Sequence, residues 1–463
     1  MKRPRPSLNR DNACACWLAA RYTPRKQPGS SALTDRIDWN QATNEASRLL
    51  QEYLRIDTSN PPGNEARAVE WLAALLEREG IAFETAESAP GRSNLVAHLG
   101  PGGAGICLLN HTDVVPVERE YWDVDPFAGE LRDGMIWGRG ALDMKGMGVI
   151  ELMVFLLLKR NGVALNRRVT FLAAADEEAG SAFGVSWLAE HRPSWLESDL
   201  VINEGAYGLS LDGPRNPQVF QIAPSEKVPL WVKLTVRGRP GHGSVPHGDN
   251  CAEHLVQALE RVTRWQQELR VTPLMQSHIE AMARAGVIRS AETEEALRTA
   301  QRSPALRARV SNTVSLTTIA TGIKVNVIPA EATATLDCRL LPDVNSDTFL
   351  DELRRVIANE RVSLEVLNRF QGAESSMETE FVHVVHDVVA EYAEGAHIVP
   401  EMTSGFTDSR IYRMRGVQAY GFVPCLVPPD ELAGVHGHNE RISVENLRLG
   451  MQILYEVVRR LAS

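Results

Sequence analysis

The stretch FLAAADEEAG, Phe171–Gly180, decides how the rest of the chain is read. An apolar run with the composition of a buried strand stops at three consecutive acids, Asp176, Glu177 and Glu178. Adjacent like charges repel one another and resist leaving water. Such a strand end either stands in open solvent or faces a cation.

The surroundings argue for a crevice. Strand-like runs at 94–99, 106–110, 169–175 and 200–202 alternate with helical patterns, among them a long apolar helix over 146–158. This alternation predicts an α/β fold, a mainly parallel sheet flanked by helices. Ligands of such sheets bind beyond the carboxyl ends of the strands, where the acids lie. Regular structure begins near Asp38, with Leu49, Leu50, Tyr53 and Leu54 on one helical face. IDTSNPPGNE, residues 56–65, then breaks the helix, and Asn64 is placed to cap the next one over 65–79.

The pattern changes between 230 and 367. Leu230, Val232, Leu234 and Val236 alternate with polar residues, and strands at 313–319 and 331–340 follow a helix. A second helix and a last strand give the order β-α-β-β-α-β, a ferredoxin-like two-layer unit. A helical insertion rich in Ala, Arg and Glu lies at about 272–311. The organisation read from this is an α/β domain over 37–226 and 369–463, an inserted lid over 227–368, and a basic extension over 1–36.

Bulk properties exclude several classes. The 463 residues, 44% hydrophobic and 23% charged with a net charge of −10, fit a globular chain with no basic stripe for nucleic acid. Cys14, Cys16, Cys107, Cys251, Cys338 and Cys425 form no C-x-x-C pair, so a reducing, cytoplasmic setting is expected. No apolar run is long enough to span a membrane. The extension reads as a disordered segment, with a targeting segment as the alternative.

Chemistry-bearing residues collect at the strand ends. CLLNHTDVVP carries His111 and Asp113, GRGALDMKG carries Asp143, and LVINEGA ends a strand with Glu204. VHGHNERIS adds His436 and His438. Each has an ordinary structural reading: a satisfied histidine, a helix N-cap for Asp143, a solvated pair for Glu177 and Glu178. Together, histidines and carboxylates without cysteine form a ligand set for a borderline metal such as zinc, and one suited to two ions.

The ordered series HTD, GRGALDMKG, DEEAG, NEGA, GRPGHGSVP, NVIPAEATATLDCR, TSGFTDSR and HGHNERI resembles the di-zinc amidohydrolase and exopeptidase family. That family includes aminoacylase, acetylornithine deacetylase, succinyl-diaminopimelate desuccinylase, glutamate carboxypeptidase and carboxypeptidase S. The similarity runs from about Asp38 to the C-terminus, and Glu204 and the lid insertion are most like the aminoacylase and carboxypeptidase S-like branch. The resemblance implies two Zn2+, for which Co2+ or Mn2+ can substitute. His111 and Glu204 would hold one, Glu178 and His436 the other, with Asp143 bridging through a residue whose next peptide is commonly cis. His438 is then a loop neighbour. Asp113 would hydrogen-bond the His111 ring, and Glu177 would act as general base and then general acid.

From the lid, the resemblance implies that His242 stabilises an oxyanion, often across a homodimer, and that Arg339 holds a substrate carboxylate with help from Asn326. A turn histidine and a sheet ion pair are the respective alternatives. Gly405 would approach the substrate by its backbone. The implied activity is hydrolysis of an amide next to a free carboxylate, in an N-acyl amino acid or else a dipeptide or short peptide. A non-catalytic metabolite-binding homologue is the reading of another class.

Overall fold

The computed structural model describes residues 37–211 and 218–463. The basic extension, its alternative as a targeting segment, Cys14 and Cys16 lie outside the described residues.

The helix Trp39–Leu54 buries Ala46, Leu49, Leu50, Tyr53 and Leu54 along one stripe. The helix Lys145–Arg160 is buried from Lys145 through Leu158 and packs against Trp39–Leu54 and the last helix, Val444–Ala462. Its all-round apolar sequence reflects that double covering. The helix Ala66–Arg78 starts one residue later than the sequence suggests, and Asn64 does not cap it. Asn64 sits instead at positive φ, and Glu65, at the helix entry, turns its carboxylate to Arg92, 2.8 Å away.

The main sheet has eight strands in the order Phe83–Ala89, Arg92–Leu99, Arg168–Ala174, Gly105–His111, Leu200–Ser210, Gln418–Val427, Gln218–Glu226 and His397–Thr403. Gly105–His111 runs parallel to both its neighbours, and two further neighbouring pairs are parallel. His111 and the acids after Ala174 therefore emerge side by side at the carboxyl edge. Glu204 differs from expectation: it does not end its strand, which continues to Ser210. Gly205, at φ +114, breaks the ladder after it; beyond it the strand keeps Gln418–Val427, leaves Gly105–His111 and pairs with Gln218–Glu226.

A second sheet has four antiparallel strands in the order Thr313–Thr321, Glu331–Leu340, Val228–Arg237, Val362–Arg369. This is the order of a β-α-β-β-α-β unit. Leu230, Val232, Leu234 and Val236, with Ala332, Ala334, Leu336, Cys338 and Leu340, bury one face under the helices Cys251–Arg264 and Ser346–Ile357. Trp231, Asp337 and Arg339 lie on the other face.

Three insertion helices, Pro273–Arg284, Thr293–Ala300 and Pro304–Val310, follow the first of these helices. Thr272 and Ser303 cap the first and third, each followed by a proline at the first helical position. The insertion packs onto the edge strand His397–Thr403 of the main sheet, with Leu274, Met275, Val310 and Met402 in one core. At that edge, His278 Nδ1 stands 2.9 Å from the Pro400 carbonyl, and Arg309 pairs with buried Glu401 at 3.0 Å. Lys227 is the single residue between a strand of each sheet. Its N–H donates to Thr403 O at 2.9 Å, and its fully buried ammonium donates to Ala308 O at 2.8 Å and to Ser311 O. Lys227→Met leaves those two carbonyls unpaired, at about 1–3 kcal/mol for each buried group. The expected result is a lower Tm and faster limited proteolysis within 273–310, read by scanning calorimetry and mass spectrometry.

Candidate metal centre

The acidic turn is built first. Asp176 adopts a left-handed conformation, φ +66, and faces away from its two neighbours. Its carboxylate accepts from Asn60 Nδ2 at 2.9 Å and from Phe183 N at 3.0 Å, and it pairs with Arg92. The first of the three acids is thus neutralised from behind. Glu177 and Glu178 are turned by Asp113, whose two carboxylate oxygens accept their backbone N–H groups at 3.1 and 3.2 Å. Asp113 thus has a task besides the one expected of it at the His111 ring. The His111 ring Nδ1 lies 3.0 Å from the Asp113 main-chain carbonyl, while the Asp113 carboxylate stands 3.5 Å away.

His111, Asp143, Glu178 and His436 then converge. Asp143 Oδ1 is 3.1 Å from His111 Nε2, and its Oδ2 is 3.1 Å from His436 Nε2. Glu178 Oε2 lies 3.2 Å from His436 Nε2, and Glu204 Oε1 lies 3.6 Å from His111 Nε2. Donor atoms of His111, Asp143 and Glu178 fall within 4.8 Å of one another, as do those of His111, Glu177 and Glu204. The Asp143–Met144 peptide is cis, and Asp143 caps no helix. His438 is directed elsewhere, 3.2 Å from Glu118 and against the Tyr121 ring.

Charge explains the strain in this cluster. Burial, followed by Glu204, pushes Glu177 well above the usual carboxylate range. Burial, followed by Asp143, raises Glu204 to about 8. Burial also opposes ionisation of Asp143, but hydrogen bonds from His111 and His436 outweigh it and hold this carboxyl far below its ordinary value. Hydrogen bonds to Asp143 and Glu178 raise His436 to about 10. The cluster therefore favours positive charge between its acids. Glu177 Oε1 and Glu178 Oε1 are buried without a hydrogen-bond partner among the described residues. Acceptor-only oxygens in that state, with two imidazoles beside them, fit hard-to-borderline divalent cations.

A residue that the sequence analysis gave no role proves central. Buried Glu440 accepts from Leu142 N at 2.7 Å, Asp143 N at 2.9 Å, Gly140 N at 3.1 Å and Arg139 Nη1 at 2.6 Å. It fixes the turn that presents Asp143. Gly146 completes that turn, since a Cβ there would stand 2.0 Å from Ala141 O. The signal available in sequence was the acid that follows HGHN.

The lid residues are less gathered. His242 is exposed on a two-residue ribbon with Val327, and its Nδ1 accepts from Ser244 N at 3.2 Å, which assigns the ring proton of a neutral imidazole to Nε2. The structure does not bring His242 or Asn326 to the acids; Asn326 O accepts from Gly243 N. Arg339 makes the sheet ion pair that was its alternative, with Asp337 at 2.8 and 3.0 Å. Its Nη1 is buried and has no partner among the described residues. Gly405 is exposed in the loop that carries Phe406.

A sequence model of Peptidase family M20/M25/M40 matches residues 107–460. The chain belongs to this family. Human aminoacylase-1 is 29% identical over 431 residues, covering 90% of this chain and 95% of that protein. The Xenopus tropicalis N-fatty-acyl-amino acid synthase/hydrolase PM20D1 is 31% identical over 373 residues, 76% of this chain and 71% of its own. The M20 family metallo-carboxypeptidase Sso-CP2 from Sulfolobus solfataricus shares the fold with a TM-score of 0.71 at 19% identity, over 90% of this chain and 98% of that one. The M20 chain is accordingly a metallohydrolase with an α/β fold.

Glu440→Gln puts an amide N–H2 among four donors. Metal retained after dialysis, read by elemental mass spectrometry, is expected to fall about 10–100-fold in affinity. Glu118→Gln, which touches only His438, is expected to change it little.

Proposed function

We propose that this chain is a zinc-dependent amidohydrolase that cleaves the amide bond of N-acyl amino acids. The observation that carries the reading is Asp143, with one oxygen toward His111 and the other toward His436. His111, Asp143 and Glu204 would hold one ion, and Asp143, Glu178 and His436 a second. When bound, such a pair lowers the pKa of a shared water and polarises the scissile carbonyl.

The chain's own groups do the rest. Glu177 Oε1, free of internal partners, takes the proton of the attacking water and returns it to the leaving nitrogen. The N–H at His242 Nε2 meets the oxyanion once the lid presents it. Arg339 Nη1 binds the substrate carboxylate beside the Asp337 pair. Residues 37–226 and 369–463 act as the metal-binding domain, and 227–368 as the lid. The strand Thr313–Thr321 is an edge, with Ile319 and Ile323 exposed nearby, which supports a homodimer through the lid. Four buried unpaired thiols, Cys107, Cys251, Cys338 and Cys425, suit a reducing cytoplasm. No helix among the described residues is long and apolar enough to cross a membrane.

The names of two relatives, aminoacylase and N-fatty-acyl-amino acid hydrolase, favour acyl amino acids over peptides. The zinc-loaded protein is incubated with a pool of N-acyl amino acids and dipeptides, and losses are followed by mass spectrometry. Acyl amino acids are expected to disappear; loss of dipeptides alone overturns the substrate assignment. Glu177→Gln is expected to keep its metal and lose at least about 100-fold in kcat. A chelator should abolish turnover in the unmodified chain, with recovery on Zn2+ addition and partial recovery on Co2+ or Mn2+.

A further inference from the structure

Where the lid face meets the main-sheet loop, two arginines share one aromatic ring. The Arg339 Cζ and the Arg410 Cζ each lie 4.9 Å from the centroid of Phe406. Arg339 comes from the lid strand Glu331–Leu340. Arg410 comes from the short helix Ser409–Met414 after the TSGFTD loop. Two like charges at one ring are tolerated because each has its own acceptors and the ring face is electron-rich. Arg339 is held in its plane by both Asp337 oxygens. The indole of Trp231 donates to Asp337 Oδ1 at 3.0 Å and meets the Phe406 ring edge-on at 6.3 Å.

Arg410 is held through its two terminal nitrogens, while its buried Nε has no partner among the described residues. It donates to Thr407 O at 2.7 Å and Gly180 O at 3.1 Å, and its guanidinium lies 4.4 Å from the Phe370 ring. Gly180 stands two residues beyond Glu178. On the other flank, Thr403 Oγ1 donates to Gly205 O at 2.7 Å, next to Glu204. The loop bearing Phe406 is therefore tied to two of the acid-bearing segments, and its ring reaches the lid arginine.

We propose that Phe406 is a positioning residue that acts through Arg339. Its ring fixes the guanidinium so that the unpartnered Nη1 stands at a set distance from the metal centre, which measures out where the substrate carboxylate sits relative to the scissile amide. This rests on the assignment of Arg339 to that carboxylate. Asp337 alone holds the guanidinium in the lid's frame; Phe406 holds it in the frame of the loop beside Gly205 and Gly180. A substrate without the carboxylate gains nothing from the arrangement.

The test uses the N-acyl amino acid turned over fastest in the pool and the same compound as its carboxamide. Steady-state kinetics are compared for the unmodified chain and for Phe406→Leu, Phe406→Met, Phe406→Tyr and Arg339→Ala. Phe406→Leu and Phe406→Met are expected to raise KM for the acid about 3- to 30-fold, the range of a lost cation–π contact. Values of kcat should stay within about twofold, the carboxamide KM should barely move, and Phe406→Tyr should restore the original behaviour. Equal effects on acid and carboxamide, or a fall in kcat alone, overturn the proposal and make Phe406 a packing residue. Phe406→Met is unbranched and adaptable enough to fill the place of the ring without its π face, so a defect confined to Phe406→Leu also counts against it. Should Arg339→Ala weaken acid and carboxamide alike, the carboxylate assignment itself fails. Should Arg339→Ala discriminate while the Phe406 variants do not, only the role of Phe406 fails.

Discussion

Everything in this molecule is arranged around the repulsion among carboxylates that a parallel sheet brings to one edge. Asp143, Glu177, Glu178 and Glu204 approach one another in a place where burial removes the water that would screen them. The chain answers with opposite charge of graded kinds. Arg92 takes Asp176, and Arg139 takes Glu440, both in the buried layer behind the site. Two imidazoles face the remaining acids. What stays uncompensated is concentrated at the crevice, where bound cations would complete the balance.

The same constraint explains how backbone groups are used. Asp113 and Glu440 are both acids, yet neither points its carboxylate chiefly into the cluster. Asp113 collects the N–H groups of Glu177 and Glu178, and Glu440 collects those of Gly140, Leu142 and Asp143. A charged acceptor shared among several peptide donors forms shorter, stronger bonds than a neutral one. Each therefore sets the direction of a turn whose side chains must face their own kind. The scaffold around the metal centre is itself anionic, and it is satisfied by peptides.

Much of this was legible in sequence because it depends on local period and on the edge rule of parallel sheets. The run before Asp176, the buried helix Lys145–Arg160 and the alternation at 230–236 all declare their elements. His111, Asp143 and Glu178 could be grouped by their places at strand and helix ends, while His436 was singled out from a loop by the family resemblance. Glu204 does lie beside His111, but its strand was ended too soon, because it continues past Gly205 by pairing with a strand more than 200 residues away. Asn64 looked like a cap, yet tertiary packing turned its backbone to positive φ. Nothing local distinguishes Glu440 from a solvated acid, since its donors lie about 300 positions earlier. The lid residues were legible as a motif but not as a place: the ion pair of Arg339 with Asp337 follows from strand geometry, while the approach of Phe406 follows from the meeting of two sheets.

The brace between Glu440 and the turn at Asp143 also has a temporal meaning. A chain made from its N-terminus exposes the turn long before residue 440 exists, and folding proceeds in that direction as synthesis advances. Until the later segment arrives, Leu142 and Asp143 lack the acceptor that aligns them, and His436 has not been made. Completion of this donor set is thus a late step of folding, since it waits for residues 436–440. A nascent chain stalled short of this point would hold the acids of the early strands but neither the brace that orients Asp143 nor the second imidazole that faces it.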